Sequence, residues 1–374
     1  MSKFRSYASF FTHSLTISGA VCAALSIGFL VAPTFYSPIA DRAEAQGKPT
    51  ATDFIKQGRQ LWQSKNITGA IEAYRRAAEL EPKNARIQMS IGYLLTQKKD
   101  YSGAIAALET ATRLDPKSSS AYTGLGFVYT RLQQYPQAIA AYRRAVELDP
   151  KNIDAQQSIA YILTERKDFD GAARVYRQII ATSPKEIKAY LNLGYILQQK
   201  GDFRGAIDIY NQADRVAPLN ADVWFALGSL SARQNRYDEA IAKYQRALQI
   251  NPRHAESNLA MGLVFQKQGR YNEAIAAMRK AAAAKPNSVD IQMAIADIYL
   301  QQNSISSAIV AYRRILENDP DSAIAYLALG QALAKQERTE EARKALERAE
   351  TIFNRQGDSE SLAKVRTALE GLKK

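Results

Sequence analysis

Residues 119–152 read SSAYTGLGFVYTRLQQYPQAIAAYRRAVELDPKN, and their spacing decides the fold. Tyr122, Leu125, Gly126 and Tyr129 recur at i, i+3, i+4 and i+7, one stripe of a first helix. Tyr135, Ala138, Ile139, Tyr142, Ala145 and Leu148 form the matching stripe of a second. Pro150 cannot extend that helix and disfavours helical geometry at Asp149, so the chain turns there. The unit is a helical hairpin with an apolar flank that only a neighbouring hairpin can cover.

The neighbours are present. Proline recurs at 82, 116, 150, 184, 218, 252, 286 and 320, always 34 residues apart. Alanine holds positions 70, 104, 138, 172, 206, 240, 274, 308 and 342 in the same register. Glycine or alanine holds 58, 92, 126, 160, 194, 228, 262, 296 and 330. Glycine inside a helix costs about 0.8–1 kcal/mol relative to alanine, so seven glycines at one repeat position imply close helix approach. Gly126 is expected to face Ala138 where the two axes come nearest.

On these positions the chain resembles the tetratricopeptide repeat across residues 51–356, in nine units. The resemblance implies an all-α fold, a right-handed superhelical α-solenoid of helix-turn-helix hairpins. First helices would line its concave side, with the second, fifth, ninth, twelfth and thirteenth positions of each repeat facing the groove. The ends differ from the middle. Gln57 stands where later repeats place Ile, Leu or Met, and Asn354 replaces the proline of the ninth unit. After a break at Arg355-Gln356-Gly357, residues 357–374 are expected to form a capping helix, with Ser359 as its cap and Leu362, Val365, Leu369 and Leu372 on one face.

The groove positions implied by the resemblance carry an aromatic ladder. The ninth position reads Tyr93, Phe127, Tyr161 and Tyr195, and one turn further stand Thr96, Thr130, Thr164 and Gln198. Met89, Thr123, Gln157, Leu191 and Phe225 occupy the fifth position and give mixed apolar and hydrogen-bonding cover suited to a peptide or a partner helix. Repeats six to nine break the pattern with Ser229, Leu263, Asp297 and Gln331, which centres the expected site on repeats two to five. Aromatic residues at helical spacing also build cores. Tyr93, however, follows Gly92 by one residue, a rotation of about 100° away from the packing contact.

Other chemistry finds little support. Lys188 and Asn192 are isolated instances of the carboxylate clamp found in relatives that grip acidic chaperone tails, and the asparagine ladder of the sugar-transferase relatives is missing. His13 and His254 are the only histidines, and Cys22 is the only cysteine, which removes intrachain disulfides, multi-thiolate metal sites and most histidine-based catalysis. His254, at a repeat boundary beside Arg253, is expected on a surface loop. No phosphate loop or nucleophile with a nearby base emerges, so no catalytic residue, cofactor, metal or small-molecule substrate is expected.

Hydrophobic residues make up 46% and charged residues 23%, the composition of a folded chain, and the formal charge is +13. The basic excess is most visible as Arg75-Arg76, Arg143-Arg144, Arg279-Lys280 and Arg313-Arg314 on second helices. Such pairs could attract nucleic acid or an anionic membrane. Glu79, Glu147 and Glu317 follow Arg75, Arg143 and Arg313 at i, i+4, which favours an internally paired solvent face and disfavours nucleic acid.

Residues 1–45 read as a signal peptide or membrane anchor. Lys3 and Arg5 precede an apolar run over residues 15–32, followed by Pro33, Pro38 and the small-residue pair Ala43 and Ala45, with cleavage expected before Gln46. An uncleaved run would associate with the membrane, and either reading places everything after the 46–50 linker outside the cytoplasm, periplasmic or secreted. The sequence around Cys22 does not resemble a lipid-attachment box. The expected role is a scaffold binding a protein or peptide in the groove.

Overall fold

The structure is a computed structural model and describes residues 49–372; the export segment expected over residues 1–45 lies outside the described residues. The described residues form helices and no strand. Helices α1 (Ala51–Gln63) and α2 (Ile67–Leu80) make the first hairpin, α3 (Ala85–Gln97) and α4 (Tyr101–Leu114) the second, and α5 (Ser119–Arg131) and α6 (Tyr135–Leu148) the third. The series continues through α7 (Ile153–Glu165), α8 (Phe169–Thr182), α9 (Ile187–Gln199) and α10 (Phe203–Val216). Next come α11 (Ala221–Arg233), α12 (Tyr237–Ile250), α13 (Ala255–Lys267) and α14 (Tyr271–Ala284). Then follow α15 (Val289–Gln301), α16 (Ile305–Asn318), α17 (Ala323–Ala334), α18 (Thr339–Gln356) and α19 (Ser359–Gly371). None of them is long and apolar enough to cross a membrane.

Two kinds of turn join these helices. Inside the second hairpin, the Lys99 amide donates to the Thr96 carbonyl at 3.0 Å and the Asp100 amide to the Leu95 carbonyl at 2.9 Å. With Lys99 at φ 64°, this is a Schellman ending, in which a left-handed residue lets the chain satisfy the helix's last carbonyls. Asp100 then caps α4, accepting from the Gly103 amide at 3.0 Å. Between hairpins, Pro150 and Lys151 sit at the corner of a turn closed by the Asn152 amide on the Asp149 carbonyl at 3.0 Å. Asn152 caps α7 through the Ala155 amide and also donates to Thr123 Oγ1 at 2.9 Å, which ties the cap to the preceding first helix. Fourth-position side chains add a further tie that the sequence reading missed. Gln156 Nε2 donates to the Pro150 carbonyl at 2.8 Å, and the Tyr190 hydroxyl to the Pro184 carbonyl at 3.1 Å.

The chain divides into two compact units, one ending at Ile209 and the other beginning at Tyr210. In the first unit, α2 packs on α3, α4 on α5, α6 on α7 and α8 on α9, and the first helices α3, α5 and α7 also touch in succession. In the second unit, α12 packs on α13, α14 on α15, α16 on α17 and α18 on α19. Hairpin tips within each unit are stitched at a constant offset of 30 residues: Lys200 pairs with Asp170 in the first, and Gln268 with Asp238 and Gln336 with Ser306 in the second.

Two expectations are corrected here. Gly126 lies under the ring of Tyr142, where an added Cβ would stand 2.7 Å from the ring carbons. The alanine position contributes its backbone instead: a Cβ on Gly228 would meet the Tyr244 ring at 2.6 Å and the Ala240 carbonyl at 3.2 Å. Helix crossing thus brings glycine over the side chain one turn beyond the alanine. At the C-terminus, α18 runs unbroken through Arg355 and Gln356, since Asn354 keeps the amide that a proline would lack. Only Gly357, at φ 72°, and Asp358 separate it from α19, and Asp358 is the cap, accepting from the Ser361 amide at 3.0 Å. Ser359 is the first helical residue. Val365 is fully buried against Leu346, Ile352 and Phe353, with Leu362, Leu369 and Leu372 around it.

Candidate functional site

The four ladder residues Tyr93, Phe127, Tyr161 and Tyr195 stand on α3, α5, α7 and α9, all in the first unit, and each is half-buried. Half-burial follows from their register. The preceding residue, Gly92, Gly126, Ala160 or Gly194, is buried in the hairpin contact, so each ring leaves the core at an angle instead of filling it. Trp62 extends the row by one aromatic: it meets Tyr93 edge to face at 5.9 Å and remains 36% exposed. The sequence reading passed over it because it stands at the twelfth position of repeat one, ahead of repeats two to five on which the expected site was centred. Burial, then the nearby Glu165 carboxylate, raises the Tyr161 phenol above its ordinary range, so it stays a protonated donor.

The hydroxyls behind the ladder serve the helices. Thr96 donates to the Gly92 carbonyl, Thr130 to the Gly126 carbonyl and Thr164 to the Ala160 carbonyl, each at 2.8 Å. Each hydroxyl proton is therefore committed to the carbonyl one turn back. Thr123 likewise donates to the Ser119 carbonyl at 2.9 Å, and Met89 is half-buried with its sulfur 4.0 Å from the Ser118 hydroxyl.

Five of the expected groove residues are buried: Thr96, Gln157, Leu191, Gln198 and Phe225. Gln157 reaches Glu186 at 3.3 Å. Phe225 belongs to the second unit and to its interior, with its ring 5.9 Å from Tyr244 and 5.6 Å from His254, so it is corrected to a packing residue. Of the expected groove residues, the four rings with Met89, Thr123, Thr130 and Thr164 stay partly exposed.

The loss of the ladder after repeat five has a structural reason. In the second unit, the buried Tyr244 hydroxyl lies 3.4 Å from Ser229 Oγ, and the Tyr312 hydroxyl donates to Asp297 at 2.9 Å. In repeats six and eight, the ninth position thus serves a core tyrosine. In the first unit Tyr142 turns instead to Ser158 and Thr130, which leaves Phe127 without that duty.

His254 is a second correction. It is buried, 7% exposed, and caps α13, with Nδ1 accepting from the Ser257 amide at 3.1 Å. That bond leaves the ring proton on Nε2, which stands 2.9 Å from Asp222 Oδ1 on α11. Its position is the one that Asn152 and Asn220 fill as caps elsewhere, and the extra reach of the imidazole carries it across to the preceding first helix.

One member of each basic pair is engaged, though not with the expected partner. Arg76 pairs with Glu72 at 3.1 Å, Arg144 with Glu147 at 3.0 Å, and Arg313 crosses to Glu341 of the next repeat at 2.8 Å. Arg279 reaches the Tyr299 hydroxyl at 3.0 Å. Rotamer reach, which spacing does not reveal, selected i−4, i+3 and inter-repeat partners.

Comparison with known proteins agrees with this geometry. Tetratricopeptide repeat models match residues 55–119 and 119–152, and a model described as the Cilia and flagella-associated protein 70 C-terminal domain matches residues 152–366, more than half of the chain. No curated protein matches. Among solved structures, the Cut9–Hcn1 hetero-tetramer of APC/C is similar over 75% of this chain at 18% identity and a TM-score of 0.46, the match spanning 55% of that chain. MamA is similar over 44% of this chain and 96% of its own at 25% identity and a TM-score of 0.38. YrrB, described as a TPR protein with an unusual peptide-binding site, matches over 50% of this chain and 96% of its own at 21% identity and a TM-score of 0.40. From the hairpin geometry and the family models together, the chain belongs to the tetratricopeptide repeat family.

Proposed function

We propose that this chain is a non-catalytic adaptor, exported or membrane-anchored, which holds a peptide or partner protein along the first unit and assists assembly of a larger complex. The observation that carries the reading is the row of half-buried rings Tyr93, Phe127, Tyr161 and Tyr195 on consecutive first helices. Rigid aromatic side chains offer large contact area with few rotatable bonds, which is why they dominate binding energy at interfaces. The ion pairs of Arg76, Arg144 and Arg313 weigh against a surface dedicated to polyanions. The basic residues Lys3 and Arg5 before the apolar run at 15–32 support the export half of the proposal.

The test is capture from extract of the source cells by the full chain and by Tyr161→Ala with Tyr195→Ala. A protein retained by the first and released by the second, with helicity unchanged by circular dichroism, supports the groove. Identical captured sets overturn it. Cell fractionation with intact mass measurement tests export: a mature species beginning at Gln46 or a full-length membrane species agrees, and full-length cytosolic protein does not.

A further inference from the structure

His254 is the one histidine among the described residues, and both of its ring nitrogens are engaged inside the second unit. The Ser257 amide and hydroxyl stand 3.1 and 2.8 Å from Nδ1, and Asp222 Oδ1 stands 2.9 Å from Nε2. A backbone amide can only donate, so Nδ1 keeps its lone pair and the single ring proton sits on Nε2. A second proton then has one place to go, the nitrogen that caps α13.

Taking that proton costs α13 its cap. Nδ1–H turns to Ser257 Oγ, the closer of its two neighbours, and the Ser257 amide loses its acceptor. Water does not replace it, because Ser257 is fully buried and Asn258 beside it is 1% exposed. The same position in α7 and α11 is capped by Asn152 and Asn220, side chains that do not titrate, so the effect belongs to α13.

The surroundings retain a charged ring. Asp222 on α11 already accepts from Nε2, and that bond strengthens once the ring is cationic. From α13 itself, Glu256 lies 3.9 Å from Nε2 while its other oxygen pairs with Lys285, which follows α14. Arg253, the preceding residue in the turn after α12, is exposed, and the Phe225 ring of α11 covers the imidazole at 5.6 Å without a polar atom. Acid therefore exchanges one bond for another: the grip on α11 tightens while the first turn of α13 is released.

We propose that His254 is an acid-sensitive joint of the second unit, in which a second ring proton uncaps α13 and holds the imidazolium on Asp222. The joint is independent of the aromatic row, which lies in the first unit.

The test is amide exchange on the full chain from about pH 7.5 to about pH 5, the interval in which histidine ordinarily changes charge and carboxylates stay ionised. Rates are expressed as protection factors, which removes the intrinsic pH dependence of exchange. The first turn of α13 is expected to lose protection about fivefold or more in the parent, the size of effect that a lost cap brings. His254→Asn, which caps without titrating, should show no such loss. Asp222→Asn keeps an acceptor but removes its charge, so it should move the loss to lower pH. Nitrogen NMR of histidine-labelled protein should show Nδ1 gaining its proton over the same interval, with the His13 signal identified as the one that persists in His254→Asn. Parallel profiles in the parent and His254→Asn overturn the proposal, as does a midpoint indifferent to Asp222→Asn. So does an Nδ1 that stays unprotonated down to about pH 5, a reading made on the parent chain and valid even where a variant fails to fold.

Discussion

Every hairpin places a left-handed residue at the same register, and most of them are not glycine. Lys65, Lys99, Gln133, Lys167 and Glu337 have φ between 57° and 64°, where Gly201 and Gly269 serve in other repeats. A Cβ in this region is strained by more than the unfolded chain gains from glycine's freedom, so Lys167→Gly should stabilise the chain by about 0.5–1 kcal/mol, read as a higher Tm. The opposite sign applies at Gly126, beneath Tyr142. Gly126→Val should cost about 1–3 kcal/mol, measured by thermal unfolding. Gly126→Ala should cost less, because Ala160 and Ala296 already occupy that register in repeats whose second helices carry Tyr176 and Tyr312. Repetition in the sequence identified the glycine position, but not the atoms facing it.

Whole helices depend on their caps, and one cap is unusual. His254 caps α13 and contacts Asp222 on α11, so it joins two first helices of the second unit. His254→Ala should cost about 1–2 kcal/mol and speed amide exchange in the first turn of α13, while His254→Asn, which restores the cap found at Asn152 and Asn220, should recover much of the loss. Carboxylate caps bring a pH dependence. The Gly103 amide and then the Ser102 hydroxyl hold Asp100 below the usual carboxylate range. The Ser361 side chain and amide do the same for Asp358. A carboxyl whose pKa is lower folded than unfolded stabilises the fold above its unfolded value of about 3.9, and that contribution is lost as pH falls through the folded value. Helicity followed by circular dichroism should therefore decline below about pH 4, and Asp100→Asn should reduce the dependence. These caps are Asn, Asp and Ser where spacing leads one to look; the role of His254 is not readable that way, because a lone histidine beside a proline turn gives no sign of what it will reach.

At the scale of each unit, a hairpin is supported by its neighbours, and stability is transmitted by adjacency. Helix α19 seals the second unit through Val365, buried on Leu346, Ile352 and Phe353. Val365→Asp should unseat α19 and raise amide exchange in α18, leaving α1 through α8 protected as before. Loss of protection throughout the first unit would contradict a nearest-neighbour stack. The ladder is confined to the first unit; in the second, repeats six and eight spend the ninth position on the hydroxyls of Tyr244 and Tyr312.

The repeat length, the hairpin, the order of helices and the family were all legible in residues 119–152 and their copies, because a 34-residue period with proline at each boundary leaves one way to bury the apolar stripes. What the sequence could not decide is which atoms meet. Tyr142 over Gly126, His254 on Asp222, Arg313 on Glu341 and the burial of Phe225 arise from residues far apart in the chain, brought together by helix crossing and rotamer choice. Periodicity fixes which face a residue occupies; only the packed structure fixes how deep on that face it lies and what it touches.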